Sequence, residues 1–236
     1  MNARGIRIIL FAILLLAFSP IVTRAQRVYE PKFYIGAKGG ASLSRVSFSP
    51  SVKQSFEPGI LMGITARYTE EKVFGLMAEL YFVQRGWKEN YSEEGQPPSP
   101  LNYERKINYI TLPVMTHIYF GSDKVHGFFN IGPSVSLMFS ESTTSNFNYE
   151  NPSSVPDFPS TYRPEEQLVM PVKNKFDYGL VGGVGAEFFF GRNSIMIEGR
   201  YYFGLGSIYP GSKKDVFSAS RPMSIEVSLA YLFRVK

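Results

Sequence analysis

Ten charged residues fall on alternate positions inside stretches that are otherwise apolar or small: Lys38, Arg67, Glu79, Arg85, Asp177, Glu187, Glu198, Arg200, Glu226 and Arg234. If those stretches wrap around a common interior, the ten side chains meet inside it. Five are cationic and five anionic, and two chemistries suit such a set. Enclosed opposite charges can neutralise one another in a salt-bridge network, because a buried ion without a partner is too costly to keep. A file of ionisable groups can also pass a proton or an ion. The equal numbers of the two signs favour the network.

His117 and His126 are the only histidines. A histidine beside Ser or Glu can activate a hydroxyl for attack on a lipid. That chemistry belongs near the long connections described below, whereas both histidines fall at the other end and face inward, as structural residues do. Neither they nor any carboxylate set offers a third ligand at metal spacing. Gly183-Val184-Gly185 begins like a dinucleotide-binding loop, but Phe188 occupies the last glycine's place and no helix follows. No catalytic, cofactor or metal site is expected.

The elements that must position these groups are strands. In Phe176–Leu205 the residues Phe176, Tyr178, Leu180, Gly182, Val184, Ala186, Phe188 and Phe190 form one apolar or small row. After Gly191-Arg192-Asn193-Ser194 the alternation resumes with Ile195, Ile197, Gly199, Tyr201, Phe203 and Leu205. Period two means strand. About ten alternating residues with aromatics at both ends fit a strand that crosses a membrane. Soluble sandwich strands are about five or six residues long.

Six further stretches repeat the unit: Phe33–Ser44, Gly59–Tyr68, Phe74–Trp87, Ile107–Phe120, Val125–Phe139 and Met223–Arg234. With the two arms of the hairpin, that makes eight strands. Pro113 cannot donate to a ladder, so a bulge is expected there. The connections Thr69–Val73, Gly121–Lys124 and Gly191–Ser194 are short. Those at Arg45–Pro58, Lys88–Lys106, Ser140–Lys175 and Gly206–Pro222 are long and polar. Strict alternation of long and short connections, with an even strand count, fits an outer-membrane barrel: short turns periplasmic, long loops outside, both termini periplasmic. Closing the Gly121–Lys124 turn would pair Phe120 with Val125 and Tyr119 with His126. A water-soluble eight-stranded barrel would need a wet outer face, which the apolar rows deny. The fold class is therefore all-β, an eight-stranded antiparallel transmembrane barrel.

At the N-terminus Arg4 and Arg7 precede an apolar run from Ile8 to Phe18. Thr23 and Ala25 mark a cut before Gln26. Residues 1–25 are thus expected to be a signal peptide, and residues 26–236 the barrel. Removing Arg4, Arg7 and Arg24 takes the formal charge from +5 to +2. That charge, with no basic cluster on a helix or aromatic platform, argues against nucleic acid as a partner. No Cys is present, so the cut site carries no lipid. Asn90-Tyr91-Ser92 matches a glycosylation acceptor, which has no role in a bacterial barrel.

The chain resembles the PorT-like outer-membrane β-barrel proteins of the Bacteroidota. The likeness rests on FYIGAKGGASLS, LMAELYFVQRGWK, INYITLPVMTHIYF, FFNIGPSVS, FDYGLVGGVGAEF and IEGRYYFGL. It departs where Arg234-Val235-Lys236 follows Phe233, since such barrels often end on an aromatic residue. The resemblance implies a non-catalytic structural or interaction role, in its sharper form an accessory role in type IX secretion. A small solute channel and a lipid-modifying enzyme are the alternatives. Outer-membrane lipid and, during biogenesis, the barrel-assembly machinery are the partners it implies. A protein could also bind the loops or turns. The loop Ser140–Lys175 is where function is most expected: Pro152, Pro156, Pro159, Pro164 and Pro171 are interleaved there with Tyr149, Phe158 and Tyr162.

Overall fold

Each of the eight alternating stretches forms a strand. They are β1 Lys32–Ser49, β2 Glu57–Thr69, β3 Phe74–Glu89, β4 Tyr103–Gly121, β5 Val125–Ser145, β6 Phe176–Phe190, β7 Asn193–Gly204 and β8 Ala219–Arg234. The structure is a computed structural model that describes residues 30–92, 98–156, 158–159, 165–212 and 215–236. The expected signal peptide and the cut before Gln26 lie outside them. No described helix is long and apolar enough to cross a membrane.

Every strand pairs antiparallel with the next, and β1 pairs with β8 to close the ring. The closing ladder continues past β8, where Val235 N–H donates to Phe33 O and Phe33 N–H donates to Lys236 O. The residues after the last aromatic thus extend the seam. Passing from partner to partner through Lys32, Thr69, Gly75, His117, Asn130, Gly183, Arg200 and Glu226 returns to β1 at Ser42. That is ten positions beyond the start (42 − 32). With strands about 4.8 Å apart and about 3.3 Å per residue, this stagger tilts them by about 40° and sets a backbone radius near ~8 Å. Inward side chains fill a bore of that size.

The two faces of the wall differ sharply. On β6 and β7, Val184 points outward and is 62 % exposed, while Glu198 points inward and is 1 % exposed. Ile64, Met62, Leu80, Leu112, Val227 and Leu229 are also exposed on the outer face. Apolar surface encircling a whole protein does not belong in water; hydrocarbon is the solvent it fits. On β8 the outward row runs from Met223 to Phe233, about 26 Å along the axis at this tilt, close to the apolar band of an outer-membrane barrel.

Three details differ from the sequence reading. First, Pro113 makes no bulge. It pairs with Ser134; pairing with β5 lapses at Val114 and Met115 and pairing with β3 at Glu79 and Leu80, and both resume unshifted. The irregularity lies instead between Asn108 and Tyr109, opposite Ser140 and Met138, leaving Phe139 as the extra residue. Second, the β4–β5 turn pairs Tyr119 with Phe128, Phe120 with Gly127 and Gly121 with His126. Gly121 holds φ +140°, a conformation few other residues adopt, which lets β4 run one residue further. The slip is two residues, so each side chain keeps its face.

Third, several strands outrun the expected boundaries on the long-loop side, β1 to Ser49, β3 to Glu89, β4 from Tyr103 and β5 to Ser145. There the pattern inverts. Outward positions become polar (Arg45, Ser47, Lys88), while inward ones become apolar and buried (Val46, Phe48, Trp87, Tyr103). Water replaces lipid outside, and the wall turns its apolar side in.

Arginine in place of Leu80 or Val184 should cost about 2–4 kcal/mol at mid-bilayer, whereas Ser154→Arg in an exposed turn should cost little. Heat-modifiable migration of membrane fractions checks this. Equal assembly of all three variants would mean that the faces are wrongly assigned.

Candidate functional site

The inward side chains close the bore at three heights. At the short-turn end Tyr34, Met77, Met115, Phe128, Met196 and Leu232 pack together. His126 lies against Tyr119, with ring centroids 4.9 Å apart, and edge-on to Phe189 at 4.6 Å. It is a half-buried member of an aromatic stack.

Above it runs a continuous polar chain. Glu79 on β3 takes Lys38 Nζ at 2.9 Å and both Nη groups of Arg200, at 2.7 and 3.0 Å. Arg200 also donates to Glu198 at 2.6 Å, and Asn130 Nδ2 donates to the other Glu198 oxygen at 2.8 Å. Because Asn130 spends its amide on Glu198, its Oδ1 must accept from His117 Nδ1, 2.7 Å away. His117 Nε2 is then the acceptor facing Arg67 Nη1 at 3.5 Å. Arg67 grips Glu187 with two parallel hydrogen bonds, and the Ser194 hydroxyl donates to the same carboxylate. His117 is therefore a neutral link in this chain, with its tautomer set by its neighbours.

Two inward glycines make room for it. A Cβ on Gly183 would lie 2.5 Å from Glu198 Oε1, and one on Gly185 would lie 2.4 Å from the Phe128 ring. The GVG run is a packing device.

Nearer the long loops, Arg85 pairs with Glu226 at 3.1 Å and stacks 3.8 Å over the Tyr202 ring. The Tyr81 and Ser224 hydroxyls donate to the same Glu226. Pairing is not one to one. Glu79 holds two cations, whereas Asp177 is bound by the Tyr202 hydroxyl at 2.7 Å and by no cation within salt-bridge distance among the described residues. Arg234 lies outside the network. It is half-exposed at the rim, and its backbone N–H donates to Arg192 O. Among the described residues no group of three or more His, Asp or Glu could hold a metal ion.

The third closure is a cap built from the long connections, which sequence reasoning did not foresee as a folded unit. Phe48, Trp87, Tyr209 and Phe217 form its aromatic core, with Leu168, Val172 and Ile208. Arg105 fastens the Ser140–Lys175 loop to the barrel. It donates to Gln167 O and Met170 O, while its other nitrogens hold Glu141. The signal for the cap was the inner row continuing past Ser44 as Val46 and Phe48, and past Arg85 as Trp87. Phe158 and Tyr149 pack on this core; Tyr162 and Pro164 lie outside the described residues. A cleft of about 440 Å³ opens on the cap between Pro50, Tyr149, Glu150, Pro152, Glu165, Glu166 and Val169.

Glu89 sits inside the cap, seven residues past Phe82 and roughly 18 Å further along the axis, beyond the apolar band. Trp87 Nε1–H donates to it at 2.8 Å and Gln167 Nε2 at 3.3 Å, but among the described residues no cation pairs with it. Burial pushes its carboxyl up to about 8, against the opposing pull of those two donors.

A closed, staggered ring of eight antiparallel strands, apolar outside and ion-paired within, is a transmembrane β-barrel of the outer-membrane type. Residues 25–209 match the family model of the outer membrane protein beta-barrel domain, and the chain belongs to that family. It is an outer-membrane protein. Among solved structures it is similar to Neisserial surface protein A (14 % identity, 87 % of this chain and 99 % of that one, TM-score 0.45). It is also similar to OprG from Pseudomonas aeruginosa (12 %, 86 % and 95 %, TM-score 0.48) and to Ail, the attachment invasion locus protein of Yersinia pestis (13 %, 85 % and 98 %, TM-score 0.39). No curated protein sequence matches it.

Removing the Glu79 carboxylate takes from Lys38 its one salt-bridge partner among the described residues, and from Arg200 its bidentate partner. Glu79→Ala should therefore cost about 3–5 kcal/mol, and Glu198→Ala less, because Arg200 keeps Glu79. Urea unfolding of the refolded barrel in lipid vesicles would rank them, and equal stability of both with wild type would refute the network's role.

Glu89 carries a pH dependence whose sign follows from linkage. Between the usual value of 4.5 and about 8 the folded cap holds a proton that the unfolded chain has lost. Its stabilising contribution is therefore complete below pH 4.5 and lost as pH rises through about 8. Trp87, the only tryptophan, reports on it directly. Its fluorescence should titrate with a midpoint near pH 8, and Glu89→Gln should flatten the curve. A flat titration of wild type would refute it.

Proposed function

We propose that this protein is a non-catalytic, non-conducting barrel whose working surface is the folded cap on its long-loop side. The observation that carries the reading is the contrast between the two regions. The bore is packed at every height, while the long connections are built into an ordered cap with a concave acidic cleft. A floppy set of loops would need no aromatic core, and a pathway would need an opening. The cap faces the outside of the cell and both termini face the periplasm, as short turns on one side and long loops on the other suggest.

The partner is a protein. The resemblance to PorT-like barrels supports an accessory role in type IX secretion as the sharper form of this reading. A catalytic role has less support, because the bound, neutral His117 and the stacked His126 are both remote from the cap.

A photo-crosslinking residue at Val169, in the cleft, should capture a discrete protein in intact cells, while one at Lys72, in a short turn, should not. The refolded barrel should give no steady single-channel steps in planar bilayers. Large stable steps would overturn the closed-bore reading, and capture at Lys72 alone would move the working surface to the periplasm.

A further inference from the structure

Arg45 and Arg221 stand on the outside of the barrel, where two apolar rows leave the membrane band. On β1 the outward row runs from Phe33 to Leu43, and Arg45 is the next outward residue. On β8 it runs from Phe233 back to Met223, and Arg221 is next. The register sets Arg45 opposite Met223 and Arg221 opposite Ser47. The two arginines are therefore diagonal neighbours, about 7–8 Å apart at the backbone and within reach of long side chains. All three polar residues are exposed.

The pair lacks a counter-charge, unlike two other cations on strands at the rim. Lys88 is paired with Glu104, and Lys106 with Glu57 at 3.2 Å. Among the described residues no carboxylate lies within salt-bridge distance of Arg45 or Arg221; Arg45 instead lies over the Phe56 ring, 5.4 Å from its centroid. Like charges side by side on a sheet repel. Placed one outward step, roughly 5 Å, beyond the apolar band, they sit at the depth of lipid headgroups. A guanidinium fork matches the oxygens of a phosphate, and two forks with a serine hydroxyl between them supply several donors to one group.

We propose that Arg45, Ser47 and Arg221 form a docking site for the phosphate of an anionic lipid headgroup in the leaflet on the long-loop side. The phosphate neutralises both guanidinium groups at once, and the neighbouring rows of β1 and β8 accept the acyl chains below it. That this leaflet is the outer one rests on the orientation proposed above.

The test uses full-length barrel reconstituted in phosphatidylcholine vesicles containing lipid A, or lipid A stripped of its phosphates. Co-purified lipid is then counted by native mass spectrometry. Wild type should retain phosphorylated lipid A and not the stripped form. Arg45→Ala/Arg221→Ala should retain roughly tenfold less, the loss of charge-assisted contacts worth at least ~1.4 kcal/mol. Lys88→Ala should match wild type. Heat-modifiable migration verifies that each variant is folded, and the single variants Arg45→Gln and Arg221→Gln should each lose part of the retention. Equal retention by the double variant, equal retention of the stripped lipid, or displacement by millimolar inorganic phosphate would each overturn the proposal. Labelling Ser153→Cys from outside intact cells tests the orientation separately. Failure to label would reassign the leaflet and leave the lipid result standing.

Discussion

The narrowness of the bore governs everything inside this barrel. A ring of eight strands staggered by ten residues has no space for bulk water, so no inward ion can be solvated in the ordinary way. Each must find its solvent in other side chains. Glu79 shows the outcome: it draws Lys38 from one wall and Arg200 from across the bore into a single cluster. The chain from Lys38 to Ser194 extends that solution through strands that are far apart in sequence. Such a network ties the walls together more rigidly than backbone hydrogen bonds alone.

The second governing fact is that the solvent outside changes partway up the wall. Within the band, lipid demands an apolar exterior, and polarity is driven inward. Beyond Leu43 and Phe82, water demands the opposite, and the same strands turn apolar residues in. The ion network and the cap's aromatic core thus result from one alternation read in two solvents. Phe48 and Trp87, whose rings meet edge-on at 5.4 Å, belong to the upper regime as clearly as Glu198 belongs to the lower.

How much of this was legible in the chain follows from what alternation encodes. The hairpin Phe176–Leu205 was readable almost residue by residue, because both arms lie wholly in lipid. Its turn is tighter than the four residues suggested, since Phe190 pairs directly with Asn193 and Gly191 takes φ +68°. Nine of the ten charges placed inward were readable by position, Arg234 at the rim being the exception, but their pairing was not. Which acid meets which base across the bore depends on the stagger of the whole ring, and no local spacing carries that. The Tyr119–Phe128 pairing escaped because a slip of two leaves every face unchanged. The bulge escaped because it adds the single residue Phe139 where the outward row of β5 ends, away from Pro113. The cap escaped because its strands were judged by the polarity of their outer row, which reverses where water begins.

The closing ladder sets the order in which such a molecule can form. Seven of its eight antiparallel pairings join strands that follow one another along the chain. The eighth joins Tyr34 to Arg234, residues two hundred positions apart (234 − 34). Bringing those ends together carries the entropy of nearly the whole chain and is rewarded only once the other hairpins are in place. Until then β1 and β8 are open edges with unpaired donors and acceptors, in a solvent that offers them nothing in exchange. The tail Arg234-Val235-Lys236 lengthens that last ladder at the rim. The final event of folding is thus also the one that removes the most reactive surface, and a chain halted just short of it would present two sticky edges to any neighbour.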